Sequence, residues 1–128
     1  PYNEGMKILL LDDDIFLRDM YSVKFTEAGH EIEVAKDAQE ARSMLQEHDF
    51  DVVITDMVIP GESGLEFLAS LKEDEDTNDI TKIVLSNQSE PGDIEAAKKQ
   101  HVDGYLVKAD LIPSEVVREV QEIVNQKT

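Results

Sequence analysis

Short aliphatic runs recur along the chain at residues 7–11, 31–35, 51–55, 82–86 and 104–107, each bounded by polar or turn-forming residues. The segments between them are long enough for a helix and carry apolar residues at helical spacing. These are Phe16, Leu17, Met20 and Val23; Ala38, Ala41 and Leu45; Leu65, Leu68 and Ala69; Ile94 and Ala97; and Val116, Val117, Val120, Ile123 and Val124. The pattern predicts strands and helices in strict alternation, each helix laying one apolar stripe on a sheet. Gly29 is predicted to end the first helix, Ser89 with Pro91 to mark the start of the fourth, and Pro113 to open the last, all at positions these residue types favour.

The strands differ in a way that orders them. ILLL, VVI and IVL are almost continuously apolar, as strands buried on both faces are, whereas EIEVA alternates charge with aliphatic, as an edge strand does. Parallel strands joined by right-handed crossovers, with helices on both faces, give an α/β doubly wound sheet. Of the two common orders, 2-1-3-4-5, the flavodoxin-like one, suits five strands with a polar second strand at the edge. Ligands in such sheets bind beyond the carboxyl ends of the strands where the winding reverses, here between strands one and three.

Composition narrows the classes. A chain of 128 residues is one domain with a real core. Its net charge of −17 opposes a phosphate backbone, which excludes DNA as an expected direct partner. The absence of cysteine removes disulfide and thiolate chemistry and suits a reducing compartment. No apolar run reaches the ~20 residues of a membrane helix, and PYNEG lacks the features of a secretory signal, so the expected location is cytoplasmic. Residues 1–5 are expected to be a flexible terminus or an expression remnant, with the domain over 6–126. The acidic stretch 73–79 (EDEDTND) has Asp74, Asp76 and Asn78 at the spacing that opens an EF-hand, but Asp79 and Leu85 replace the glycine and glutamate that motif requires, so it reads as a solvated loop.

The predicted crevice collects polar residues that were not used to locate it. Asp12 and Asp13 follow strand one, Asp56 follows strand three, Ser86 ends strand four and Lys108 follows strand five. Carboxylates crowded together oppose each other's ionisation unless a cation sits among them, and a hard, oxygen-liganded ion such as Mg²⁺ meets that need. Asp14 serves as the N-cap of the first helix. Mg²⁺ held by a few carboxylates normally shares its coordination with phosphate oxygens, which points to phosphoryl chemistry. Asp56 is then either a third ligand or a nucleophile. Attack by a carboxylate on phosphorus needs an in-line approach and charge neutralisation, which Mg²⁺, Lys108 and the Ser86 hydroxyl would supply.

Taken in order, these motifs resemble the receiver domain of two-component response regulators, of the chemotaxis-regulator kind. ILLLDDD resembles that family's acidic pair after strand one, VVITDMVIPGESGLEFL its phosphoacceptor strand and Pro-Gly loop, IVLS its hydroxyl-bearing strand four, and GYLVK its fifth strand with an aromatic and a lysine. The resemblance covers about residues 6–124. It implies that Asp56 accepts a phosphoryl group from the phosphohistidine of a histidine kinase or phosphotransfer protein. It further implies Mg²⁺ on Asp12, Asp13, Asp56 and the backbone carbonyl of Met57, with Ser86 and Lys108 on the phosphoryl oxygens. Ser86 and Tyr105 would act as the switch that remodels the face of the fourth helix, fifth strand and fifth helix for a downstream protein or a homodimer. The only catalysis expected is self-phosphorylation and self-dephosphorylation.

Three positions depart from the family pattern. Lys108-Ala109 stands where the family has Lys-Pro with a cis bond, which bears on where the Lys108 amine lies. Asn87 and Val58 differ from the usual smaller and polar residues and bear on phosphoryl lifetime. Two other functions compete. One is a pseudo-receiver that binds partners without phosphorylation, motivated by Ala109. The other is a phosphohydrolase resembling the haloacid-dehalogenase family, with Asp12 as nucleophile and Asp14 as acid-base; Phe16 and the lack of room for a cap domain count against it. The chain is either a stand-alone regulator or the receiver of a longer protein. His30, His48 and His101 fall near predicted helix carboxyl ends, where dipole interaction explains them. Met6, Met20, Met44 and Met57 fit core filling or a strand-to-loop junction.

Overall fold

The computed structural model describes residues 5–127; residues 1–4, most of the expected terminus or expression remnant, lie outside them. The elements alternate throughout: β1 (Lys7–Leu11), α1 (Ile15–Glu27), β2 (Glu31–Ala35), α2 (Ala38–Glu47), β3 (Val52–Thr55), α3 (Gly64–Glu73), β4 (Thr81–Ser86), α4 (Pro91–Lys99), β5 (Gly104–Val107) and α5 (Pro113–Lys127). The strands form one parallel sheet in the order β2-β1-β3-β4-β5. The expected topology therefore holds, with β3 starting one residue late and β4 one residue early.

Alternation along β1 divides the core in two. Leu9 and Leu11 join Ala38 and Ala41 of α2 and Phe67, Leu68 and Leu71 of α3 on one face of the sheet. Ile8 and Leu10 join Tyr21 and Phe25 of α1 and Val116, Val117 and Val120 of α5 on the other. Each Leu, Ile, Val or Phe among them, when fully buried, contributes about 1.5–3 kcal/mol. Gly29, at φ +94°, ends α1 in the left-handed conformation, and Pro113 opens α5, both as expected. At α4 the cap is Glu90 instead of Ser89: its N–H donates to Asp93 at 3.2 Å and Pro91 follows as the first helical residue.

The stripe expected for α1 is overturned. Phe16, Met20 and Val23 are 82%, 36% and 54% exposed, and the helix buries Tyr21 and Phe25 instead, with Leu17 packed beside them. Both sets have helical spacing, so periodicity alone does not choose between them. The face that contains the two aromatics removes more apolar area from water.

Two polar residues have roles the pattern did not suggest. Lys82 sits on β4 with 5% exposure, and its ammonium donates to the carbonyls of Thr77, Asn78 and Ile80 at 3.3, 3.0 and 2.8 Å. Apart from Glu73, the last residue of α3, the acidic 73–79 stretch is a loop, as expected, and it wraps around a lysine. His30 is not a dipole partner of α1. Its ring is buried, Nδ1 accepts the Met6 N–H at 3.2 Å, and Nε2 lies 2.8 Å from the Gln121 amide of α5. Accepting a backbone N–H requires neutral imidazole, and burial lowers the His30 pKa from its ordinary 6.5.

Candidate functional site

The sheet delivers its polar residues to one end. Asp12 continues β1, its N–H bonded to the Ala35 carbonyl at 3.1 Å, and Asp56 continues β3, its N–H bonded to the Leu11 carbonyl at 3.1 Å. Between these carboxylates lies Lys108, its side chain only 9% exposed, with Nζ 2.7 Å from Asp12 Oδ2 and 2.6 Å from Asp56 Oδ2. Asp56 Oδ1 accepts the Ser86 hydroxyl at 2.8 Å and the Val58 N–H at 3.2 Å. Asp12 Oδ1 accepts the Asp14 N–H at 2.9 Å, and the Asp12 carbonyl accepts Arg18 Nη1 at 2.8 Å. Four residues far apart in sequence, Asp12, Asp56, Ser86 and Lys108, therefore share one hydrogen-bonded cluster.

The Lys108–Ala109 bond is trans, as all described peptide bonds are, and residues Lys108–Asp110 form a 3-10 turn. Alanine in place of proline thus leaves the amine within reach of both carboxylates. Burial works to lower the Lys108 pKa, but the hydrogen bonds and negative charges of Asp12 and Asp56 together outweigh it and raise the group above its ordinary 10.5. In this arrangement an ammonium neutralises the crowded carboxylates.

The remaining expected residues sit differently. Asp13 is exposed and, among the described residues, shares no hydrogen bond or ion pair with the cluster. Asp14 Oδ1 accepts the Phe16 and Leu17 N–H groups at 2.9 and 3.3 Å, the N-cap as expected, which leaves it poorly suited to acid-base work on Asp12. The Met57 carbonyl accepts the Gly64 N–H at 2.8 Å, so one of its lone pairs is taken. The donor chemistry, hard carboxylate and carbonyl oxygen, suits Mg²⁺. Among the described residues, however, no three acidic, imidazole or thiol side chains are gathered for an ion, and Lys108 holds the space between Asp12 and Asp56.

A hydrogen-bonded path leads outward from Asp56. Ser86 Oγ, which donates to Asp56, accepts the Gln88 N–H at 3.2 Å, and the Gln88 carbonyl accepts the Tyr105 hydroxyl at 2.5 Å. Tyr105 is half-buried against the core, and burial first, then the nearby charges of Asp93 and Asp56, raise its pKa above 10.0.

Two further contributors escaped the sequence. A Cβ placed on Gly64 would lie 2.0 Å from the Asp56 carbonyl oxygen, so only glycine lets α3 begin against the acceptor's backbone. The signal was present, since Ser63 and Glu66 spell a capping box whose first helical residue is this glycine. Glu62 and Arg42 pair across α2 and the β3–α3 loop, a contact that no local pattern announces. A cavity of about 660 Å³ between α2, α3 and residues 74–80, lined in part by Arg42, His48, Ser70 and Asp76, contains none of the clustered residues.

Comparison with known proteins agrees with this geometry. A model described as the response regulator receiver domain matches residues 8–120. The chain is 31% identical over 107 residues to the chemotaxis protein CheY-3 of Vibrio cholerae, covering 83% of this chain and 82% of that one. It is 30% identical over 122 residues to the phosphate regulon transcriptional regulatory protein PhoB of Pseudomonas aeruginosa, covering 95% of this chain. The chain spans 53% of the length of that regulator. In three dimensions it superimposes on the chemotaxis response regulator CheY4 of Vibrio cholerae with a TM-score of 0.86 at 29% identity, covering 93% of this chain and 98% of the other. No helix among the described residues is long and apolar enough to cross a membrane. With its strand order, its acidic and lysine cluster and these matches in agreement, the chain belongs to the response regulator receiver domain family.

Proposed function

We propose that this receiver takes a phosphoryl group onto Asp56 from the phosphohistidine of a histidine kinase or phosphotransfer protein, in a Mg²⁺-dependent step, and thereby changes its α4-β5-α5 face. One observation carries the reading: the Asp56 carboxylate is held between an ammonium at 2.6 Å and a hydroxyl at 2.8 Å at the carboxyl end of the sheet. In the transfer a carboxylate oxygen of Asp56 forms the new P–O bond while the donor's N–P bond breaks, and the imidazole leaves with the electron pair of that bond. Lys108 and Ser86 then turn from the carboxylate to the phosphoryl oxygens, stabilising charge that spreads onto them. Mg²⁺ held by Asp12, Asp13, Asp56 and the second lone pair of the Met57 carbonyl would neutralise the same oxygens.

Movement of Ser86 toward a phosphoryl group loosens its acceptance of the Gln88 N–H, and through the Gln88 peptide the tie to Tyr105. This gives the two states different contacts, which a ligand-driven switch requires. A protein donor is supported by the surface around the site. Among the described residues, all six exposed large hydrophobics lie on α1 (Ile15, Phe16, Met20, Val23) or in loops leaving the site (Val58, Ile112). Concentrated exposed apolar area marks a contact surface.

The test is intact-mass analysis after incubation with acetyl phosphate and Mg²⁺. One added phosphoryl group is expected, absent when Mg²⁺ is chelated before the donor is added and absent in Asp56→Asn. An unchanged mass, or an addition that persists in Asp56→Asn, refutes the proposal.

A further inference from the structure

The loop from Met57 to Ser63 carries the Val58 N–H that touches Asp56 Oδ1, and it must turn sharply at Pro60-Gly61, where Gly61 has φ +89°. Its two ends are secured locally, by Asp56 itself and by the capping box of Ser63 and Glu66. Glu62, the residue just before the cap, is held by a partner from another element. Arg42 of α2 donates Nη1 to Glu62 Oε1 at 2.6 Å and Nη2 to Glu62 Oε2 at 3.0 Å, a two-pronged pair. The same Nη2 donates to the Ser70 hydroxyl of α3 at 3.0 Å, and the guanidinium lies 5.1 Å from the centre of the Phe67 ring. Phe67 is fully buried in the core beneath the acceptor strand.

Arg42 is thus braced by α3 and the core on one side and grips the acceptor loop on the other. The planar fork fixes distance and orientation together, which a single hydrogen bond does not. The hydrogen bond from Arg42 is the main cause that lowers the Glu62 pKa from its ordinary value.

We propose that Arg42 and Glu62 are positioning residues for phosphoryl acceptance: their pair latches the 57–63 loop to α2, keeping the Val58 N–H on Asp56 Oδ1 and the acceptor carboxylate aligned for attack. Neither residue touches the reacting atoms. The inference rests on Asp56 being the phosphoacceptor, and it deepens that reading by giving α2 a part in it.

Two measurements on wild type, Glu62→Gln, Arg42→Lys and the charge-swapped double variant Arg42→Glu/Glu62→Arg test it. The first is the rate of phosphorylation by acetyl phosphate, a small donor that needs no docking surface, over a range of donor concentrations. Glu62→Gln and Arg42→Lys are expected to lower the maximal rate about tenfold, short of the ~100-fold that a 1 Å misplacement costs, with the half-saturating donor concentration unchanged. The double variant is expected to regain at least half of that loss on a logarithmic scale, because it restores the pair. The second is hydrogen exchange of the Val58 amide, whose protection should fall in both single variants while amides of β3 keep theirs.

Single variants that phosphorylate at the wild-type rate per folded molecule, or a double variant no better than the singles, overturn the latch. So does a Val58 amide whose exchange is unchanged. If wild type is not phosphorylated while Val58 exchange responds as expected, the mechanical latch stands and the phosphoacceptor reading is what fails.

Discussion

Replacing Lys108 by alanine removes the one positive charge that, among the described residues, touches both Asp12 and Asp56. Their side chains are 2% and 14% exposed, and their facing oxygens lie no more than 5.3 Å apart, 2.7 plus 2.6 Å through the ammonium. At an effective dielectric of about 20, two unit charges at that separation repel by about 3 kcal/mol. The figure falls at the lower edge of the ~3–5 kcal/mol lost when one partner of a buried ion pair is deleted.

Because Lys108 is raised above its ordinary 10.5, its contribution is complete below that pH and lost only as the pH climbs through the higher folded value. An assay at neutral pH therefore reads all of it. Urea unfolding in the presence of chelator should show Lys108→Ala less stable by about 3 kcal/mol with an unchanged slope, and Asp12→Asn in that background should restore most of the loss. A loss below about 1 kcal/mol, the size of a surface ion pair, would mean that the two carboxylates do not need the ammonium.

Three further outcomes follow from the packing. Gly64→Ala drives a Cβ to within 2.0 Å of the Asp56 carbonyl oxygen, a rigid backbone atom, so it should cost about 1–3 kcal/mol or more in urea unfolding and slow phosphorylation of the folded fraction. Gly104→Ala meets instead the Cδ1 of Ile123 at 2.4 Å; pairing it with Ile123→Val, which lacks that methyl, should recover stability that the single variant loses. His30 has a lowered pKa, so the unfolded chain binds the extra proton first, and stability should fall as the pH drops below about 6.5 toward the lower folded value; unfolding midpoints at pH 7.5, 6.5 and 5.5 should slope less steeply in His30→Gln.

The parts of the fold that were legible are those written in local chemistry. Continuous apolar runs mark β1, β3 and β4 as central, charge alternation marks β2 as the edge, and the reversal of winding between β1 and β3 locates the crevice before any of its residues is considered. Asp12, Asp56, Ser86 and Lys108 were legible because each stands at the end of a strand, where a parallel sheet brings such residues together. What was not legible depends on three-dimensional choice. On α1 two apolar stripes have equal periodicity, and only packing decides that Tyr21 and Phe25 go in while Phe16 stays out. Lys82 in KIVLS looks like a solvated lysine; that three loop carbonyls converge on it is settled by where residues 77–80 fold. The Arg42–Glu62 pair joins residues twenty apart, and the close approach of Gly64 to Asp56 is a matter of backbone path.

A receiver that works as proposed must turn Asp56 into an acyl phosphate. Borohydride reduces an acyl phosphate to the alcohol, so treating the phosphorylated protein with it and mapping peptides converts the acceptor aspartate to homoserine and locates it. Homoserine is expected at residue 56, formed only with phosphodonor and Mg²⁺ present. Homoserine at residue 12 or 13, or at no aspartate, would contradict the proposal.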